Sequence, residues 1–303
     1  SAFVQDTWNI LDSTKDINLT YGVRAQYWDL NKEFIISPRV QMIYRPLNSK
    51  RDVTFKVSSG LYFQPPFYRE LRNQQGIINT DVLSQKSFHV LAGGTWDFPV
   101  GDKEFRFIAE TYYKYLWDLV AYDIDNVRIG YYGENNASGY ATGIDMRLNG
   151  EFVPGAESWI NLSLLRTRES FDGVQHLLRA VGRPNDTLQV KDVARPTDQF
   201  FALSILFQDY LPQNENFKMN LNMTMSSGLP FGLPNNNVIY RNTYRFNPYY
   251  RVDIGFSALL WNREKSFRWQ NSSAMQHLRK AWVSVEVFNL LAVQNTASNT
   301  WVK

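Results

Sequence analysis

Hydrophobic and polar residues alternate along this chain with a period of two. In Lys103–Val120, Phe105, Phe107, Ala109, Thr111, Tyr113, Tyr115, Trp117 and Leu119 share one face, while Arg106, Ile108, Glu110, Tyr112, Lys114, Leu116 and Asp118 share the other. In 217–226, Phe217, Met219, Leu221, Met223 and Met225 alternate with Lys218, Asn220, Asn222, Thr224 and Ser226. The same period runs through 19–28, 53–58 and 251–260. Strict alternation is the signature of strands with one apolar and one polar face. The segments are long, however. A globular strand usually has about 5–6 residues, whereas a strand crossing a bilayer needs about 9–11. A soluble β-sandwich with one buried face would have shorter strands and fewer aromatics on its inner face. The pattern therefore favours an all-β, transmembrane, antiparallel up-and-down β-barrel.

About twelve such segments are expected, near 2–11, 17–29, 34–46, 52–63, 86–97, 103–122, 139–153, 157–169, 198–211, 216–228, 249–262 and 280–292. Short polar turns at Asp12–Lys15, Leu47–Arg51, Pro99–Asp102, Pro154–Glu157 and Pro212–Asn216 alternate with longer connections at 64–85, 124–138, 171–197 and 229–248. Outer-membrane barrels have short periplasmic turns and long extracellular loops. The long connection at 262–280 and the brief one at 29–33 break this rule. Tyr27, Tyr44, Phe63, Trp96, Tyr113, Tyr115, Trp117, Trp261 and Trp282 gather towards segment ends, as interfacial girdles would require.

Composition changes the picture little. The mean hydropathy of −0.37 is mildly polar, but alternation cancels the membrane signal of a barrel. No apolar run approaches the roughly 18 residues of a membrane-crossing helix. A net charge of +3 without a long basic run argues against nucleic acid as a partner. The absence of Cys excludes disulfides and thiolate metal sites. The chain opens at Ser1 without a signal peptide, so it is expected to be mature or a fragment.

Chemistry is sparse. The three histidines, His89, His176 and His277, show no ligand spacing, and no nucleophile motif or phosphate loop occurs, so no catalytic, metal or cofactor role is expected. Asp123 and Asp125, at a loop entrance, are read as a solvated turn rather than a cation site. Arg24, Arg39, Arg106, Glu110, Lys114, Arg147 and Asp253 lie on polar registers, and an Arg or Lys facing midplane lipid would cost about 2–4 kcal/mol. They are expected to face the lumen, to pair with one another, and to contact whatever fills it. Tyr68, Arg69, Arg72, Arg179, Arg183, Tyr240 and Arg241 lie in the long connections and are candidate ligand contacts, since loops on a rigid scaffold commonly carry recognition.

Particular residues then resemble a family. Phe3-Val-Gln-Asp-Thr-Trp8, Tyr21-Gly-Val-Arg-Ala-Gln-Tyr27, Ser37-Pro-Arg39, Gly228-Leu-Pro-Phe-Gly232, Tyr250-Arg-Val-Asp-Ile-Gly-Phe256 and Val287-Phe-Asn-Leu-Leu291 are similar, in order and spacing, to the barrel of TonB-dependent receptors. Asn126-Val-Arg128 and Gly139-Tyr-Ala-Thr-Gly-Ile-Asp145 resemble Bacteroidetes versions. The resemblance implies a 22-stranded barrel around a plug, of which residues 1–303 would be the C-terminal part without plug or last strand. It implies a Gram-negative outer-membrane location, TonB-coupled import of a scarce ligand, and contacts with lipid, with the plug and remaining strands, and with the TonB complex. It leaves open a surface lipoprotein. A passive porin or an adhesin is the rival reading; an enzyme is a more distant third. Two open sheet edges are expected, because about twelve strands are roughly half of such a barrel.

Overall fold

Alternating side chains can bury one face only if each strand finds hydrogen-bond partners along its length. The computed structural model shows how they are found. It describes residues 1–125, 128–153, 156–180, 183–211, 214–232, 238–262 and 277–298. In chain order the elements are β1 (Ala2–Leu11), β2 (Lys15–Trp28), β3 (Glu33–Pro46), β4 (Asp52–Gln64), β5 (Gln85–Val100), β6 (Lys103–Asp125), β7 (Arg128–Val153) and β8 (Ala156–Phe171). Then come β9 (His176–Ala180), β10 (Arg183–Val190), β11 (Val193–Ala194), β12 (Phe201–Leu211), β13 (Asn214–Ser226), β14 (Pro230–Phe231), a 3-10 turn (Val238–Tyr240), β15 (Tyr244–Arg245), β16 (Tyr249–Asn262) and β17 (Lys280–Val287).

One antiparallel sheet runs β1-β2-β3-β4-β5-β6-β7-β8-β12-β13-β16-β17, with β11 added to β8. Its twelve principal strands are the twelve segments expected from the alternation. Among the described residues β1 pairs only with β2 and β17 only with β16, so these strands do not close on one another. β9–β10 and β14–β15 form separate two-stranded sheets in the connections.

The register carries the alternation from strand to strand. Val53, Trp96, Phe107, Leu148, Ile160, Ile205, Met223 and Val252 stand in one row across eight strands. One residue along, Thr54, Thr95, Ile108, Arg147, Asn161, Ser204, Thr224 and Arg251 form the next row, pointing to the opposite face. Two cavities open on this second face, lined by Arg24, Arg39, Lys56, His89 and Lys114 among others. The polar registers therefore face inward. Phe55, Tyr113, Phe217 and Phe256 are all exposed on the outward face, which is a continuous apolar band. Asp6 of β1 departs from the pattern; it projects outward and accepts a hydrogen bond from the Tyr21 hydroxyl at 3.0 Å.

Several sequence expectations need correction. The expected connection at 124–138 is mostly strand: β6 and β7 continue as a paired hairpin beyond the sheet body, with register shifts between Leu116 and Tyr122. Alternation fades there because Leu119, Val120 and Ala121 are buried in succession while Ile124 and Ile129 near the tip are exposed, so apolar residues no longer mark one face. The connection at 171–197 contains β9, β10 and β11. The last segment ends at Val287, so Phe288 to Leu291 lie beyond the strand. Most of the anomalous connection at 262–280 falls outside the described residues.

The two faces make opposite demands. Leu203→Lys, on the outward face, should lower folding stability in phospholipid vesicles by about 2–4 kcal/mol, whereas Ser204→Lys on the adjacent inward position should cost well under half of that. Urea titration followed by heat-modifiable gel migration measures both; equal losses would contradict the assigned register.

Candidate functional site

Gly60 organises the inner wall. It pairs with Arg39 on one side and His89 on the other. A Cβ here would stand 2.9 Å from Arg39 Cγ. The missing side chain lets Arg39 lie across the strand, with its guanidinium 4.3 Å from the Tyr62 ring centre. Tyr62 in turn stacks on His89 with ring centres 4.3 Å apart. His89 is paired in register with Lys114.

Most inward charges are paired. Lys56 Nζ is 3.8 Å from Glu110, Arg106 Nε is 2.6 Å from Asp97, and Arg251 Nε is 2.8 Å from Asp253. Lys86 bridges Asp118 at 2.6 Å and Glu33 at 3.4 Å. Arg147 donates to the Asn149 side chain and lies over Trp159. The seven lumen candidates named from the sequence thus all sit on the inward face, and Arg24 lines the cavity beside Arg39.

The long connections form a roof. Residues 65–84 are fastened to the β6–β7 extension: Asn135 Nδ2 donates to Leu83 O and Asp118 O, its Oδ1 accepts from Leu83 N at 2.7 Å, and Asn79 Nδ2 donates to Gly133 O. Glu70, 6% exposed, accepts from Phe67 N and from Gln85 Nε2. The segment after β13 crosses over β12 to reach β8 and β6. It brings Arg241, 4% exposed, onto Glu169 at 2.7 Å and onto Asp123 and the carbonyl of Tyr122. Arg195 reaches the other Glu169 oxygen at 3.3 Å, and Tyr132 donates to Asp123 at 2.8 Å. Below lies a small apolar cluster of Leu119, Ala121, Ala137 and Phe171. Arg245 pairs with Asp198, which accepts from Thr167 N at 2.7 Å. Gly228 permits this closure, since a Cβ would overlap the Phe246 carbonyl.

His176 is a second latch. It is fully buried, its Nε2 accepts from Phe171 N at 3.1 Å, and its Nδ1–H donates to Val238 O at 3.0 Å. This arrangement holds the imidazole neutral. Burial, the largest cause, pushes its pKa below the usual value, opposed by the bond to Val238 and the field of Asp192. Burial also pulls Arg241 down, to about 10, so it stays charged at neutral pH.

The loop candidates separate accordingly. Tyr68 is 75% exposed, and Arg69 donates to its hydroxyl at 2.9 Å. Arg72 is exposed and pairs with Ile78 in an isolated bridge. These three stand together on one loop. Tyr240 is half-buried in the 3-10 turn. Arg179 and Arg183 lie in β9 and β10, but their side chains fall outside the described residues. Arg241 is corrected: its guanidinium is consumed inside the roof, because the buried Glu169 and the partly buried Asp123 need a cation. Asp123 is likewise a roof anchor rather than a solvated turn. Sequence reasoning missed Glu169 and His176, and a Glu or His in an alternating strand carries no signal that a distant loop will cover it.

Against known proteins, the family described as TonB dependent receptor-like, beta-barrel matches residues 1–290. Among curated proteins none matches the sequence. Among solved structures, the chain is similar to one described as copper transporter OprC, with 13% identity and a TM-score of 0.58, covering 97% of this chain and 41% of that one. It is also similar to the outer membrane transporter YddB from Escherichia coli, with 12% identity and a TM-score of 0.65, covering 98% of this chain and 42% of that one. The chain thus spans about two fifths of the length of these structures. At such identity they speak for the fold.

Arg241→Ala leaves the buried Glu169 with Arg195 alone and the partly buried Asp123 without a cation, which should loosen roof docking by up to about 3–5 kcal/mol. Hydrogen exchange in 227–248 and at β11 should then rise towards loop values while β4–β5 stays protected; unchanged exchange would show that the ion cluster does not hold the roof. Acid should act in the same direction through His176. Its folded pKa is depressed, so the unfolded loop binds more protons below about 6.5, and stability is full above that value and lost as pH falls through it. Burial raises Glu169 to about 7, which acts in the opposite sense, so the His176 contribution is read as a difference: between about pH 7 and 5 the wild-type roof should gain protease sensitivity relative to His176→Gln.

Proposed function

We propose, from the premise that this chain belongs to the TonB-dependent receptor-like β-barrel family, that it forms about half the wall of an outer-membrane active transporter. That protein would import a scarce ligand in a TonB-coupled manner across the Gram-negative outer membrane. The observation that carries this reading is the roof: long connections are braced by a buried ion cluster over an inner wall of charged and aromatic side chains. A passive pore gains nothing from a mouth held half closed, whereas a receptor needs preformed contacts at its entrance. The rest of the barrel, a plug in the lumen, and the TonB complex acting on that plug are the partners implied by the family, and lipid surrounds the outward apolar band. A surface lipoprotein could cap the roof, although nothing in the geometry calls for one. No step of covalent chemistry is needed; recognition and energised passage suffice, so an enzymatic role is not proposed. Within the roof, Tyr68, Arg69 and Arg72 are the recognition residues of the reading, because they are the exposed aromatic and cationic group on the loop over the wall.

Cells expressing the full-length protein should deplete at least one small solute from rich medium, and an uncoupler or loss of TonB should abolish the depletion. Tyr68→Ala with Arg69→Ala and Arg72→Ala should cut depletion at least about tenfold with barrel assembly intact. Depletion that survives the uncoupler would point to a passive porin, and no depletion at all to an adhesin.

A further inference from the structure

The cations of the inner wall fall into two groups. Lys56, Lys86, Arg106, Arg195, Arg241 and Arg251 each pair with a carboxylate. Arg24, Arg39, Lys114, Arg147 and Lys218 pair with none among the described residues; of these, Arg39 and Lys114 lie against the rings of Tyr62 and Tyr112. Those two occupy the same inward row, which runs Gly22, Arg39, Gly60, His89, Lys114. Between them stands the Tyr62–His89 stack. The nearest acids along β6 are already engaged: Glu110 with Lys56, and Asp118 with Lys86. Glycine at position 60 clears the wall for Arg39, as described above.

This row floors two cavities that share Tyr62. One, of about 640 Å³, is lined by Tyr62, His89, Tyr112, Lys114, Lys86 and Arg195, and so reaches up to the roof. The other, also about 640 Å³, holds Arg39 and Arg24. Each lies within the usual range of small-molecule sites, about 300–1,000 Å³. Three strand spacings separate Arg39 from Lys114, or about 14 Å between Cα atoms, a span that two long side chains reaching inward shorten considerably. A single point charge cannot use both ends, whereas a small molecule carrying two or more oxyanion groups can.

We propose that the inner wall beneath the roof is a binding site for a small polyvalent oxyanion, a di- or tricarboxylate or a polyphosphate. Arg39 and Lys114 clamp its two ends, and the Tyr62–His89 stack forms the floor. The inference deepens the transport reading, since it names the ligand chemistry of the same entrance. The guanidinium supplies forked donors and the ammonium a compact charge. With no carboxylate among the described residues opposing them, their field is available to an incoming anion.

The test uses the full-length protein in detergent, titrated calorimetrically with inorganic pyrophosphate and with tricarballylate. Binding of at least one probe is expected, weakening as ionic strength rises. Arg39→Gln and Lys114→Gln should each lower affinity by at least about tenfold, while Arg106→Gln, which removes the same charge from a site paired with Asp97 and outside both cavities, should leave it within about twofold. Heat-modifiable migration verifies that every variant is folded. Absence of binding in the wild type, or equal losses in all three variants, overturns the proposal. The outcome is independent of energised uptake: solute depletion that needs TonB, with neither probe bound, would leave the transport reading standing and remove only this site.

Discussion

Everything in this structure follows from the pairing of each strand along its whole length in a sheet whose side-chain period is two. Once β6 is in register with β5, the direction of every side chain on it is decided. Phe107 must share a face with Trp96, and Arg106 with Asp97. A slip by one residue would place Arg106, Glu110 and Lys114 in the apolar band together. The cost of that exchange grows with every charged residue moved outward, which is why so many charges on the inner face act jointly as a register lock. Asp6 shows the limit of this rule. It tolerates an outward position on β1 with the Tyr21 hydroxyl as a donor, because a single polar group with a hydrogen-bond partner costs far less than an orphaned one.

The inner face creates a second problem. Side chains that need water or ions to satisfy them are crowded onto one concave surface, and the connections then cover part of it. The solution differs with depth. On the wall, pairs such as Arg106–Asp97 remain partly solvated, and their contribution to stability is small. Under the roof the same pairing is obligatory. Glu169 is almost wholly enclosed, and two arginines converge on it from two different connections. A buried ion cluster adds little net stability compared with apolar packing, but removing one member strands the others. Its effect is therefore to specify where the roof sits. A covering of leucines would collapse just as firmly, with less to choose between neighbouring positions.

How much of this was legible in the sequence depends on which physical signal each part leaves. The strands left the strongest one. Each principal segment faces two different solvents, so alternation through Phe217–Ser226 or 251–260 reports it directly. The inward positions of Arg24, Arg39, Arg147 and Asp253 followed from the same alternation. The extension of β6 and β7 beyond Leu116 left none, because successive residues Leu119 to Ala121 are buried alike and register shifts interrupt the period. Arg241 was misread for a related reason. A loop arginine beside tyrosines has the composition of a binding residue, and only the fold reveals that Glu169 and Asp123, far away in sequence, need its charge. Recognition residues and roof braces are drawn from the same amino acids, and burial alone tells them apart.

That ambiguity bears on how a wall of this kind can carry specificity at all. Where each cation has its own carboxylate, the surface is nearly neutral at a ligand's distance, and passing solutes are poorly distinguished. Selectivity must come from the positions left uncompensated. On this wall two of the uncompensated charges, Arg39 and Lys114, share one row with a glycine whose absent side chain lets the arginine lie over a tyrosine ring. The stacking holds that guanidinium in place and reduces the conformational entropy a ligand would otherwise have to remove on binding. The same alternation that fixes the outward apolar band thus fixes the spacing of these charges. A one-residue slip that took Arg39 out of line with Lys114 would also turn Val40 or Tyr113 away from the outward face. The charge pattern of the lumen and the apolar surface of the barrel are consequently two readings of one register, and neither can shift without the other.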